Sequence, residues 1–305
     1  MLARTAANLY WMARYLERAD YTARLLQGAM HLSAVRASGD REREWQAALL
    51  ASGHPPVAGD SARIVHHLAF AAENPSSILS CLAVARRNAR AVRTALTVDM
   101  WDAVNGTWLE LRGFDPARMD EDALTAFLDW VKARTGLFHG VYASTLLRTD
   151  GFRFTRLGQF LERADNSARL LAARLAPALQ AAAEPTLDDP DALAVLRVVG
   201  ARRAYRVFYK GKVTPRAVAE LLALRPEFPR SLLYCFEQIT QQLGQIAMQD
   251  PPRSAECKRL AQQMDAQLRF GQIDDLIGAD PAARLGELIQ RIDRIGGHLA
   301  RGYCF

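Results

Sequence analysis

Residues 16–26 read LERADYTARLL and residues 161–171 read LERADNSARLL. Nine of the eleven positions are identical, at an offset of 145 residues, and Thr22/Ser167 is a conservative change. A second pair follows in the same order. Pro75-Ser76-Ser77-Ile78-Leu79-Ser80-Cys81 resembles Pro229-Arg230-Ser231-Leu232-Leu233-Tyr234-Cys235, now at offset 154. Two matched segments in one order predict duplication of a whole unit, and the period far exceeds the roughly 20–50 residues of solenoid repeats. The expectation is two helical halves, 1–145 and 150–305, packed as one compact unit around a pseudo-two-fold axis.

Working outward from the repeat, the chain reads as helix. Ala, Leu, Arg, Glu and Gln dominate, and all are strong helix formers. Leu9, Met12, Ala13, Leu16, Ala19, Ala23 and Met30 fall on one face at helical period, which predicts a first helix over 5–35. Further helices are expected over 41–51, 61–71 and 74–98, the last with Asn74 as N-cap and Pro75 at the first helical position. Others are expected near 99–111, 117–134, 136–148, 152–182, 190–209, 215–223, 229–248, 253–269 and 282–301. Prolines 185, 190, 226, 229, 251, 252 and 281 separate the later ones. The predicted fold class is all-α.

The chain has 305 residues, half of them hydrophobic and 24% charged, which suits a buried core and excludes a wholly disordered chain. No apolar run approaches the ~18–20 residues of a membrane span, and the first residues lack a secretory pattern. The cysteines, 81, 235, 257 and 304, show no CxxC or zinc-finger spacing. A soluble, cytoplasmic, disulfide-free protein is the expectation. The net charge of +6 is mild, and lysine occurs only at 132, 210, 212 and 258, so arginine position carries more information than arginine abundance. There is no P-loop, no GxGxxG after a strand, no GxSxG and no HExxH, and no cofactor or metal is predicted.

The repeat carries charge on an apolar face. Asp20 falls in the middle of the first helix's apolar stripe, with Glu17 and Arg24 at its edge and Arg18 pointing roughly the other way; Glu162, Arg163, Asp165 and Arg169 reproduce the pattern. A buried charge demands a partner. One reading is a salt-bridge clamp that fixes the register of two similar helices, with Arg18 and Arg163 as partners across the pseudo-axis. The other is a polar pocket in which carboxylates and guanidiniums hold a charged ligand, since arginine's planar fork suits a carboxylate or phosphate. Asn74, Ser77, Arg230 and Ser231 begin helices and are secondary anion-site candidates, with ordinary capping as the plain alternative. From Arg197 to Arg216 there are seven basic residues and no acid, with Tyr205, Phe208 and Tyr209 interleaved. That run suits an acidic protein or peptide partner, while nucleic acid is not favoured.

Five stretches resemble the bacterial alpha-E domain family: RTAANLYWMARYLERADYTARLL (4–26), NPSSILSCL (74–82), RLGQFLERADNSARLL (156–171), TPRAVAELLAL (214–224, loosely) and FPRSLLYC (228–235). The resemblance runs in order along nearly the whole chain. It implies an all-helical fold of undetermined biochemistry and places the family's Glu-Arg motif on Glu17-Arg18 and Glu162-Arg163. It also implies two partners encoded nearby, a circularly permuted ATP-grasp amide ligase and a transglutaminase-like cysteine peptidase, and with them a role in peptide synthesis or tagging. It supplies no established catalytic residue. Two departures stand out: the acidic residues usual before Asn74 are reduced to Glu73, and Gln159 stands where the first repeat has Arg14.

The leading expectation is an accessory or scaffold protein of such a system. The alternatives are an enzyme acting on a charged peptide or small molecule through Glu17 and Glu162, and a purely structural interaction protein. Motifs lining an open pocket favour the first two; motifs buried in mutual ion pairs favour the third.

Overall fold

The computed structural model describes residues 2–35, 38–56, 60–181, 187–247, 251–303 and 305. Cys304 and Pro185 lie outside the described residues. The helices are α1 (Ala3–Val35), α2 (Ser38–Ala51), α3 (Ser61–Ala69), α4 (Ile78–Ala91), α5 (Val98–Leu111), α6 (Glu121–Thr145), α7 (Asp150–Arg174), α8 (Ala176–Ala181), α9 (Pro190–Val198), α10 (Arg202–Phe208), α11 (Pro215–Leu224), α12 (Leu232–Ala247), α13 (Pro251–Phe270), α14 (Ile273–Ile277) and α15 (Pro281–Tyr303). The described residues contain no strand, so the protein is all-α. No described helix is long and apolar enough to cross a membrane.

The two long helices that carry the repeated sequence lie against each other at the centre. α1 also packs on α2, α4 and α6, and α7 on α2, α12 and α15. Leu9, Met12, Leu16 and Leu26 of α1 and Leu157, Leu161 and Leu171 of α7 are buried. Each such side chain contributes on the order of 1.5–3 kcal/mol before chain entropy is subtracted. The crossing is close at Gly158, where an added Cβ would sit 2.1 Å from the Tyr10 carbonyl oxygen. Only a residue without a side chain lets the two backbones approach that far.

Several helix boundaries differ from expectation for identifiable reasons. Asn74 is not an N-cap. The cap of α4 is Ser77, whose hydroxyl accepts from the Ser80 amide at 3.1 Å, and Asn74 folds the preceding turn by accepting from the Ser76 amide at 2.9 Å. The segments 117–134 and 136–148 form one helix, α6, that runs through Gly136 and Gly140; each glycine costs about 1 kcal/mol against alanine, too little to break 25 residues of packed helix. The segment 190–209 is two helices. Gly200 adopts φ +68°, and the Ala201 and Gly200 amides donate back to Leu196 and Arg197, ending α9 in a Schellman turn.

Candidate functional site

Glu17 of α1 and Glu162 of α7 have almost no exposed surface. Each faces the arginine of the other copy of the motif. Arg163 donates from Nε and Nη2 to the two oxygens of Glu17, at 2.8 and 2.7 Å. Arg18 donates from Nε and Nη2 to the two oxygens of Glu162, at 2.5 and 3.1 Å. Both pairs are two-pronged, the strong arrangement for guanidinium and carboxylate. Each glutamate also has a second cation. Arg230, just before α12, reaches Glu17 at 3.1 Å, and Arg14 reaches Glu162 at 2.6 Å. Gln159 occupies the α7 position equivalent to Arg14 and instead accepts a hydrogen bond from the Tyr142 hydroxyl.

The aspartates one turn further on are less alike. Arg24 donates to Asp20 at 2.8 Å and Arg169 to Asp165 at 2.7 Å, both i,i+4 pairs as their spacing predicts. Asp20 gains Arg230 at 2.8 Å and the Thr135 hydroxyl at 3.3 Å. Asp165 gains neither, and its Oδ1 is buried with no hydrogen-bond partner. The register of the second repeat explains part of this, because Ser76 occupies the position equivalent to Arg230 and is too short to reach. Its hydroxyl instead meets Arg18 at 3.2 Å.

Burial alone would push all four carboxyls up. For Glu162 the charges of Arg18 and Arg14 outweigh burial and hold the carboxyl down to about 2. Arg163 and Arg230 do the same for Glu17, and Arg230 and Arg24 for Asp20, both of which titrate below their ordinary range. At Asp165 burial wins over Arg169, and the carboxyl titrates above its ordinary range. His139, 3.6 Å from Glu17, is pushed down to about 4, chiefly by burial. The guanidinium faces are covered too: Arg14 lies over Trp11, Arg18 over Tyr15 and Arg163 over Phe160.

The structure therefore brings together Glu17, Arg18, Asp20, Arg24, Glu162, Arg163 and Arg230, with Asp165 and Arg169 at one edge. Asn74, Ser77 and Ser231 lie beside the cluster but are committed to local structure. Asn74 also donates to the His67 carbonyl at 2.9 Å and meets His54 at 3.1 Å, and Ser231 accepts from the Tyr234 amide at 3.1 Å as a helix cap. Neither Arg14 nor His139 was anticipated from sequence. A second buried pair, Arg174 to Glu44 at 2.6 Å, was not either. Arg14 had a visible signal: it lies one turn before Arg18 on the same strip of α1. Glu44, inside the run Arg41-Glu42-Arg43-Glu44, had none. Among the described residues, no group of three or more His, Cys, Asp or Glu could hold a metal ion.

A helical fold built around two crossed Glu-Arg pairs defines the class, and the comparisons agree. The chain belongs to the Alpha-E family, whose model, described as a predicted alpha-helical domain with a conserved ER motif, matches residues 1–304. Similar curated proteins, named only as uncharacterised, come from Mycobacterium bovis and Mycobacterium tuberculosis. They are 26% identical over 317 residues, covering 95% of this chain and 35% of their own length. The chain thus spans about a third of the length of the curated relatives it matches. No solved structure matches it.

Proposed function

We propose that the protein is a non-catalytic accessory subunit that works by holding partners, and that its Glu-Arg motifs are a structural clamp between α1 and α7. One observation carries this reading: both motif glutamates are buried and each is bound by two guanidiniums. A general base must reach a substrate proton and titrate near the working pH. Glu162, held to about 2, does neither. The reciprocal pairing also suits two halves, 1–145 and 150–305, derived by duplication, since each motif then completes the other.

The partners the family resemblance implies are the ATP-grasp ligase and the transglutaminase-like protein. The length of the mycobacterial relatives supports a unit that operates beside other segments of chain. The basic run supplies a docking face. Arg202, Arg203, Arg206, Lys210 and Lys212 are exposed around Val207, itself 69% exposed, and none of the five is ion-paired to another described residue. Arg216 is different, being paired with Asp274 at 2.5 Å. An acidic surface on a partner protein complements this face.

The test is co-purification with the products of adjacent genes, followed by an ATP-dependent ligation assay with and without this protein. Binding that weakens with salt and with Arg202, Arg203 and Arg206 changed to Glu is expected, together with altered ligation. Absence of binding and of any effect on ligation would remove the reading.

A further inference from the structure

A cleft of about 860 Å³ lies between the C-terminal end of α1, α2, the start of α3 and the start of α6, and none of its lining residues belongs to the Glu-Arg cluster. Its floor is apolar, with Trp45, Ile64, Phe70 and Leu124 buried beneath partly exposed Met30 and Met119. Its rim carries four exposed carboxylates, Glu42, Asp60, Asp120 and Glu121, against Arg41 and His66. No ion pair joins any of the four carboxylates to another described residue. In a chain of net charge +6, this is a concentration of negative charge at the mouth of an apolar cleft.

Two of the carboxylates are held in place by local structure. Asp60 caps α3, accepting from the Arg63 amide at 3.0 Å, and Asp120 caps α6, accepting from the Ala123 amide at 2.8 Å. Each cap bond uses one carboxylate oxygen, and the carboxylate charge remains at the rim. The cleft is partly open to solvent. A small molecule in a binding pocket usually has most of its surface buried, which a half-open cleft achieves poorly. A segment of another protein can lay apolar side chains in such a groove and leave its charged ones at the rim.

From this geometry we propose that the cleft is a docking site for a short basic peptide segment of a partner protein. Apolar side chains of the segment sit over Trp45 and Phe70, and its Lys or Arg side chains meet the rim carboxylates. The site shares no residue with the Glu-Arg cluster or with the 197–216 face. Its fate is therefore separate from that of the accessory role above.

The experiment is calorimetric titration of the full chain with the pentapeptide amide Lys-Leu-Arg-Leu-Lys, with Glu-Leu-Glu-Leu-Glu amide as the reverse-charge probe. The basic peptide should bind one to one, more weakly as salt rises, and the acidic one should not bind. The variant carrying Glu42→Gln, Asp60→Asn, Asp120→Asn and Glu121→Gln should melt like the parent, because asparagine caps helices as well as aspartate does. It should bind the basic peptide at least about tenfold more weakly. A Met119→Ala variant, which trims a partly exposed side chain at the cleft, should lose affinity in a salt-independent way. No binding of the basic peptide, equal binding of the acidic one, or undiminished binding by the neutralised variant would overturn the proposal.

Discussion

Arg163 grips both oxygens of Glu17, at 2.8 and 2.7 Å, from the helix opposite, while Arg18 grips both oxygens of Glu162 in return. The two ion pairs run in opposite directions across one helix crossing. Sliding or rotating α7 against α1 to improve one pair would worsen the other. On the proposed clamp reading, the arrangement fixes register, which is the best-attested use of buried charge.

The crossing itself predicts a sharp contrast between glycines. Gly158→Ala would place a methyl group 2.1 Å from the Tyr10 carbonyl, and backbone must move to admit it. A fall in stability of several kcal/mol is expected, larger than the 1–3 kcal/mol typical of core overpacking. Gly136→Ala in α6 meets nothing within 4 Å and should stabilise by about 0.5–1 kcal/mol through helix propensity. Urea unfolding of the two variants checks both signs.

Acid sensitivity should come in two limbs. His139 faces Glu17, Asp20, Arg163 and Arg230 and is held down to about 4, whereas in the unfolded chain it titrates near 6.5. Between those values the unfolded state binds a proton that the native state does not, so stability falls as pH drops from about 6.5 to about 4. Half-buried His54 is shifted the same way and adds to this limb. Glu162 governs the next one. Its contribution is complete above about 4.5 and is lost as pH falls toward 2. Asp165, raised by burial, takes up its proton earlier in the native state and softens that loss. Urea midpoints measured from pH 8 to 3 should show the upper limb flattened in His139→Gln and the lower limb retained. An unchanged upper limb would contradict a neutral, buried imidazole.

Thiol chemistry should be silent in the native state. Cys81 and Cys235 are buried and their thiols are pushed up to about 12, and buried Cys257 to about 11. At pH 8 a thiol of pKa 12 is ionised in only about one molecule in ten thousand, and the thiolate is the reactive form. A Cys304→Ser variant should leave Ellman's reagent with nothing to label until denaturant is added, and with three thiols thereafter. Rapid native labelling of Cys81 or Cys235 would contradict their placement in the core.

Much of this was written in the repeated segments. The apolar stripe of α1 and the charges set within it require that Glu17 and Glu162 find cations, and the reversed motif offers Arg163 and Arg18. What local sequence could not convey was which residues arrive from elsewhere. Arg230 reaches Glu17 only because the turn before α12 folds over α1 and α7. Ser76 cannot repeat that contact at Asp165, although it occupies the equivalent position. The approach at Gly158 is likewise a property of two backbones. The break expected after residue 134 is absent, because the packing of Phe127, Val131 and Phe138 carries α6 through Gly136 and Gly140. Asn74 had the composition of a cap, but the true cap lies three residues on, at Ser77.

The clamp is tested most directly by a double-mutant cycle on Glu17 and Arg163, read by urea unfolding at pH 7. Glu17→Gln strips Arg163 and Arg230 of their shared carboxylate, and Arg163→Met leaves Glu17 buried with only Arg230. Breaking a buried pair costs on the order of 3–5 kcal/mol. Each single variant should therefore lose that much, and the double variant should lose less than the sum by about 1–3 kcal/mol. Two single variants as stable as the parent, or losses that add to within about 0.5 kcal/mol, would show that the crossed pairs do not hold α1 to α7.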